Sequence, residues 1–114
     1  MKLSLLPSGD GLFKLKCSGQ LTMLDVKGAD PLEALLGADG FGRTVPMDLG
    51  RTTFLDTAAV GWLIGLHKKF RQAGGRLILH SVPPLIDQMF RLLKLPAVLH
   101  MAGDEAAARA LAGG

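Results

Sequence analysis

From residue 44 onward, short apolar stretches of strand length alternate with helical stretches, and this alternation constrains the fold more than any other feature. Thr44-Val45-Pro46-Met47-Asp48-Leu49 reads as a strand with a defect, because Pro46 has no N–H to give to a ladder. Either the strand is unpaired on that side or it starts after the proline. A helix follows from about Thr57 to Ala73, stopped by Gly74-Gly75. Leu77-Ile78-Leu79 is continuously apolar, as expected of a strand covered on both faces. Pro83-Pro84 opens a second helix carrying Leu85, Ile86, Met89, Phe90 and Leu93, and Pro96 ends it. Ala97-Val98-Leu99-His100 reads as a last strand, and Asp104 caps a third helix that runs to Leu111. Strands separated by helices in this way pair in parallel through right-handed crossovers.

The N-terminal part adds a different element. Leu3 to Leu6 is a short apolar run, Ser8-Gly9-Asp10-Gly11 is a turn by composition, and Leu12 to Cys17 alternates with Phe13, Leu15 and Cys17 on one side. The pair reads as a hairpin, hence an antiparallel edge. Residues 20–44 carry the weakest pattern. Asp30 as N-cap, Pro31 and Glu33 start a helix there; Leu32, Leu35 and Leu36 give it an apolar face; Gly37 is its expected stop, and Ala38 to Arg43 an expected loop. The 114 residues, 48% of them apolar, suffice for one core. The expected fold is a single α/β domain over residues 1–114: a mixed, mostly parallel sheet of about five strands with an antiparallel N-terminal edge, and helices packed on it.

Composition excludes several function classes. The net charge is +3, but the basic residues are dispersed, the densest group being Lys68, Lys69 and Arg71. With no Tyr and widely spaced Phe, the chain lacks the stacking residues and charge stripe of a nucleic-acid binder. The single cysteine, Cys17, allows no internal disulfide, fits a reducing compartment and reads as buried. The N-terminus lacks the apolar run of a signal peptide, and no stretch approaches the roughly 20 apolar residues of a membrane span, so a cytoplasmic protein is expected. His67, beside Lys68 and Lys69, reads as a solvated helix position; His80 and His100 each end a strand and are expected to face one another across the sheet edge. No metal-ligand spacing, nucleophile–base pair or phosphate loop appears, so no catalytic residue, metal or cofactor is expected.

The informative segment is Phe54-Leu55-Asp56-Thr57-Ala58-Ala59-Val60-Gly61-Trp62-Leu63. Asp56 or Thr57 caps the helix that follows, whose first turn presents free N–H groups, the positive end of the dipole and a hydroxyl. The plain reading of Thr57 is an N-cap. Ala58, Trp62, Gly65 and Lys69 fall on one stripe of the helix, away from the apolar face of Val60, Leu63, Ile64, Leu66 and Phe70. Trp62 there either anchors an interface or packs under a neighbouring helix.

Over roughly residues 10–111 the chain resembles the STAS family, in particular its anti-sigma-factor antagonists. The resemblance rests on a strand ending in Asp48-Leu49 and on Asp56-Thr57-Ala58-Ala59-Val60-Gly61 in place of an Asp-Ser-Ser/Thr-Gly-Leu-Gly loop. Further matches are Gly74-Gly75 leading into Arg76–His80, the stretch from Ser81-Val82-Pro83-Pro84 to Leu95, and the Ser18-Gly19-Gln20-Leu21 turn. The departures are Thr57 for the commoner Ser, Ala58 for a second hydroxyl residue and Ala59 for Gly; an alanine there means that no positive φ is needed. The resemblance implies a non-enzymatic regulatory module that binds an anti-sigma factor acting as a serine/threonine kinase. The kinase would phosphorylate the hydroxyl residue after the loop aspartate, here Thr57, and thereby end the binding. Asp56, Ala58, Gly61, Trp62, Gly65 and Asp48 are the candidate partner-binding residues. The alternative is an unphosphorylated STAS subunit of an ATPase, transporter or receptor complex, using the same surface. The oligomeric state stays open, a homodimer included.

Overall fold

The computed structural model describes residues 1–7, 13–26 and 31–113. In chain order the elements are β1 (Lys2–Pro7), β2 (Phe13–Leu21), α1 (Met23–Val26), α2 (Pro31–Gly40), β3 (Thr44–Leu55), α3 (Thr57–Gln72), β4 (Arg76–His80), α4 (Pro84–Leu92), a 3-10 turn (Leu95–Ala97), β5 (His100–Ala102) and α5 (Glu105–Gly113). The strands lie in the order β1-β2-β3-β4-β5. β1 and β2 pair antiparallel and every other pair is parallel, so the hairpin edge and the α/β sheet stand as expected. The turn Ser8–Gly11, Leu12 and the expected cap Asp30 lie outside the described residues.

The strand order has a strong consequence. From β2 onward each strand is laid beside its predecessor in the same direction. Right-handed crossovers repeated in one direction bring all their helices to one face of the sheet. Leu15, Cys17, Val45, Met47, Leu49, Leu77 and Leu79 accordingly share one core cluster with Leu32, Ala59, Leu63, Leu66, Phe70 and Phe90 of α2, α3 and α4. Phe41 meets Phe70 edge to face, with ring centroids 5.0 Å apart. Burial, here as elsewhere, is the main favourable term, at about 25 cal/mol per Å² of apolar surface.

Among the described residues the other face carries only α5, which crosses β3, β4 and β5. Ile78 and Ala108 are fully buried there, outside the main cluster. The rest of that face is largely polar. One row across the sheet, in register, reads Ser4, Lys16, Asp48, His80, Ala102. Lys14 tethers α5 by donating to Glu105 Oε1 at 3.1 Å, and Asp104 caps it as expected, accepting from Ala107 N at 2.8 Å.

Several local expectations are corrected. β3 starts before Pro46 and runs on to Leu55. Pro46 stands opposite Ile78, while the register with β2 begins at Met47, so the imide lies where β3 has not yet acquired its second neighbour. Past Asp48 the strand has only β2 beside it, because β4 ends at His80. Gly37 (φ 68°, ψ 179°) is non-helical and ends the first stretch of α2 as expected, but a second helical stretch follows across the kink to Gly40, where a loop was expected. α1 was not anticipated. Its signal is Thr22-x-x-Asp25, in which Asp25 Oδ2 accepts from Thr22 N at 2.9 Å, half of a capping box.

The last strand begins at His100, not Ala97. Lys94 takes a left-handed φ of 59°, and Val98 N and Leu99 N both donate to the Leu95 carbonyl, so the backbone of this stretch is committed to a tight turn. His100 therefore meets His67, with ring centroids 5.3 Å apart, and does not face His80. His67 is itself buried, not solvated. On α4 the expected apolar stripe is split: Ile86 and Phe90 are buried, whereas Leu85 is 80% exposed. Cys17 is buried as expected, and burial pushes its thiol pKa up.

His80 is buried with Nδ1 2.9 Å from Ser81 Oγ, and its Nε2 has no hydrogen-bond partner among the described residues. Burial lowers its pKa, outweighing the opposite pull of Asp48, Glu105 and Asp104; burial lowers that of His67 too, helped by His100 and Arg71. The unfolded chain therefore binds more protons just below the ordinary histidine pKa of about 6.5, and stability falls as the pH drops through that value. Thermal melts followed by circular dichroism should show this loss, and a His80→Gln variant should show a shallower one over the same interval.

A Cβ at Gly75 would collide with the carbonyl oxygens of Phe41 and Arg43, whereas one at Gly61 or Gly65 would meet nothing within 4 Å. Gly75→Ala should cost about 3 kcal/mol or more in urea unfolding. Gly61→Ala and Gly65→Ala should each stabilise the isolated domain by up to about 1 kcal/mol, the helix propensity difference.

Candidate functional site

The overhang of β3 delivers the chain to Asp56, whose backbone is extended (φ −97°, ψ 177°). Its carboxylate serves two elements. Oδ1 accepts from Ala59 N at 2.9 Å, capping α3, and Oδ2 accepts from Met23 N at 3.0 Å, at the start of α1. The Asp56 amide donates to the Leu21 carbonyl at 3.2 Å, and its own carbonyl accepts from Val60 N at 3.1 Å. Asp56 is thus the cap, and the plain reading of Thr57 as the N-cap is corrected.

Thr57 is the first helical residue, exposed, and its hydroxyl makes no hydrogen bond among the described residues. It lies at the positive end of the α3 dipole, where first-turn N–H groups favour an added anion. Ala59 is helical and fully buried, which explains why a residue other than glycine fits there.

The structure gathers Asp56, Thr57, Ala58, Gly61, Trp62 and Gly65 along the first half of α3. Gly61 is exposed; Ala58 and Gly65 are half-buried. Trp62 is half-buried and packs on the core margin. Asp48 does not join them. It precedes Asp56 by eight residues, about 26 Å of strand, and belongs to the polar sheet face, accepting from Gly50 N at 2.7 Å.

Three residues missed by the sequence reading complete the surface. Met23 (55% exposed) and Leu24 (83%) project from α1, and Phe54 (50%) from the end of β3. The Asp56–Met23 bond places α1 beside the Thr57 turn. The Thr22-x-x-Asp25 box could have revealed α1.

Comparison with known proteins gives a consistent result. The model of the STAS domain matches residues 32–108. BtrV of Bordetella bronchiseptica, provisionally named an anti-sigma factor antagonist, is 31% identical over 84 residues, which are 72% of each chain. An anti-sigma-factor antagonist (STAS) domain protein from Planctomyces limnophilus has the same fold, with a TM-score of 0.77 at 13% identity over 98% of both chains. So does the phosphorylated form of the Bacillus cell fate determinant SpoIIAA, with a TM-score of 0.67 at 21% identity over 96% of this chain and 99% of that one.

The double use of the Asp56 carboxylate has a measurable consequence. Asp56→Ala should lower stability by about 2 kcal/mol, the upper end of the range for a lost cap. Hydrogen exchange should speed up at the amides of Ala59 and Met23 together, whereas loss of a simple α3 cap would affect Ala59 alone.

Proposed function

The chain belongs to the STAS domain family, and from that premise we propose that it is an anti-sigma-factor antagonist whose partner binding is switched off by phosphorylation of Thr57. The partner is an anti-sigma factor that is also a serine/threonine kinase. The role is regulatory, in the cytoplasm, and needs no cofactor. No helix among the described residues is long and apolar enough to cross a membrane.

The observation that carries this reading is the unengaged Thr57 hydroxyl at a helix start, next to the Asp56 carboxylate that also holds the start of α1, where Met23 and Leu24 are exposed. Asp56 is already spent on two caps, so Thr57 can be modified without removing a fold contact. A phosphate adds about −1.5 to −2 charges. The α3 dipole tolerates it, while a partner seated over it would have to desolvate the new charge. Gly61 and Gly65 fit the same picture, since neither has a reason within the chain to lack a Cβ, and both let a partner's backbone come close.

Capture of partners from the source cell, with intact mass and site mapping of the recovered protein, tests the reading. Recovery of a kinase-type ATPase, with phosphate on Thr57, is expected. Thr57→Glu should weaken that complex about a hundredfold, equivalent to roughly 3 kcal/mol, and Thr57→Val should bind but resist release by the kinase with ATP. Recovery of a transporter or receptor complex with Thr57 unmodified would replace the switch by the constitutive-subunit reading. Gly65→Ala should weaken binding even as it stabilises the free domain.

A further inference from the structure

At the far end of α3, about 20 Å from Thr57 along the helix, lies a cavity of about 480 Å³ lined by His67, Arg71, Arg76 and His100, with Gly75, Ala97 and Val98 completing its wall. Four basic side chains from three separate elements, α3, β4 and β5, converge on this concavity, and no acidic residue lines it. None of the four makes an ion pair with a carboxylate among the described residues. Arg76 uses one guanidinium nitrogen on the Leu111 carbonyl at 3.3 Å and keeps its remaining donors. The imidazoles of His67 and His100 lie side by side at 5.3 Å. Arg71 and Arg76 bring two fixed positive charges to this concavity without a counter-charge among the described residues, and an anion seated between them lowers that cost.

We propose that this cavity binds a small phosphate-bearing anion. The guanidinium fork matches two phosphate oxygens at once, and the imidazole N–H groups supply further donors. Ala97 and Val98 give the pocket an apolar side that accommodates the organic body of a phosphate ester. The groups facing His67 are His100 and Arg71, which, after burial, hold its pKa down. An added anion reverses that field, so binding is coupled to proton uptake at His67. This proposal is independent of the Thr57 switch, since the two sites sit at opposite ends of α3.

The test is an NMR titration of the whole chain near pH 6.5 with inorganic phosphate and, separately, phenyl phosphate, with sodium chloride at matched ionic strength as control. Saturable shifts of the His67 and His100 ring protons with a phosphate probe are expected, together with an upward move of the His67 titration midpoint. Tighter binding of phenyl phosphate would identify an organic ester as the class, and equal binding free phosphate. Arg71 and His100 are exposed, so an Arg71→Gln/His100→Gln variant should keep its fold by circular dichroism and lose at least about tenfold in affinity, equivalent to 1.4 kcal/mol. Shifts that never saturate, that chloride reproduces, or that survive in the folded double variant would overturn the proposal.

Discussion

Parallel strands laid side by side in chain order can bring their connecting helices to only one face of a sheet, and most of this structure follows from that constraint. The apolar surface of α2, α3 and α4 gathers into one core against the odd-numbered positions of β3 and β4. Among the described residues the opposite face receives a single short helix, α5, and it can hold a polar row in which Lys16, Asp48 and His80 are neighbours. Because the strand order never reverses among the described residues, the sheet has no crevice at a switch point, where dinucleotide-binding sheets place their ligand. The candidate site and the basic cavity lie instead at the two ends of α3.

The two ends of that helix are chemically opposite. The N-terminal end is built on one carboxylate that satisfies the starts of two helices, with a free hydroxyl beside it and apolar side chains around it. The C-terminal end carries cations, as the dipole prefers, but two of them are joined by Arg76 and His100 from neighbouring strands into a concave basic site. The first suits a surface whose affinity is changed by adding charge, and the second suits a ligand that brings charge with it.

Much of this was legible in the residues because its punctuation is local. Gly74-Gly75, Pro84 and Asp104 mark helix ends through backbone chemistry that does not depend on distant contacts. What was not legible depended on packing. His67 lies on the stripe of Leu63, Leu66 and Phe70, but its neighbours Lys68 and Lys69 made the stretch read as solvated. Val98 and Leu99 have the composition of a strand and the hydrogen bonds of a tight turn, decided by Lys94 and Pro96 before them. Asp48 was grouped with Asp56 as a candidate partner-binding residue on the expectation that the strand ends at Leu49, but β3 runs on to Leu55 and separates the two. The polar stretch Gly50-Arg51-Thr52-Thr53 gave no periodic signal for that overhang, since β2 alone pairs with it.

The two open glycines of α3 also bear on how the free domain breathes. Each withholds helix stability that nothing else in the chain requires it to withhold. The first half of α3 therefore opens more easily than it would with alanine at both positions. A partner that binds only the closed helix suppresses that opening, and by mass action part of its binding energy appears as stability of the domain itself. Occupancy by a partner is thus written into the resistance of α3 to proteolysis and exchange, in a protein whose backbone need not otherwise move.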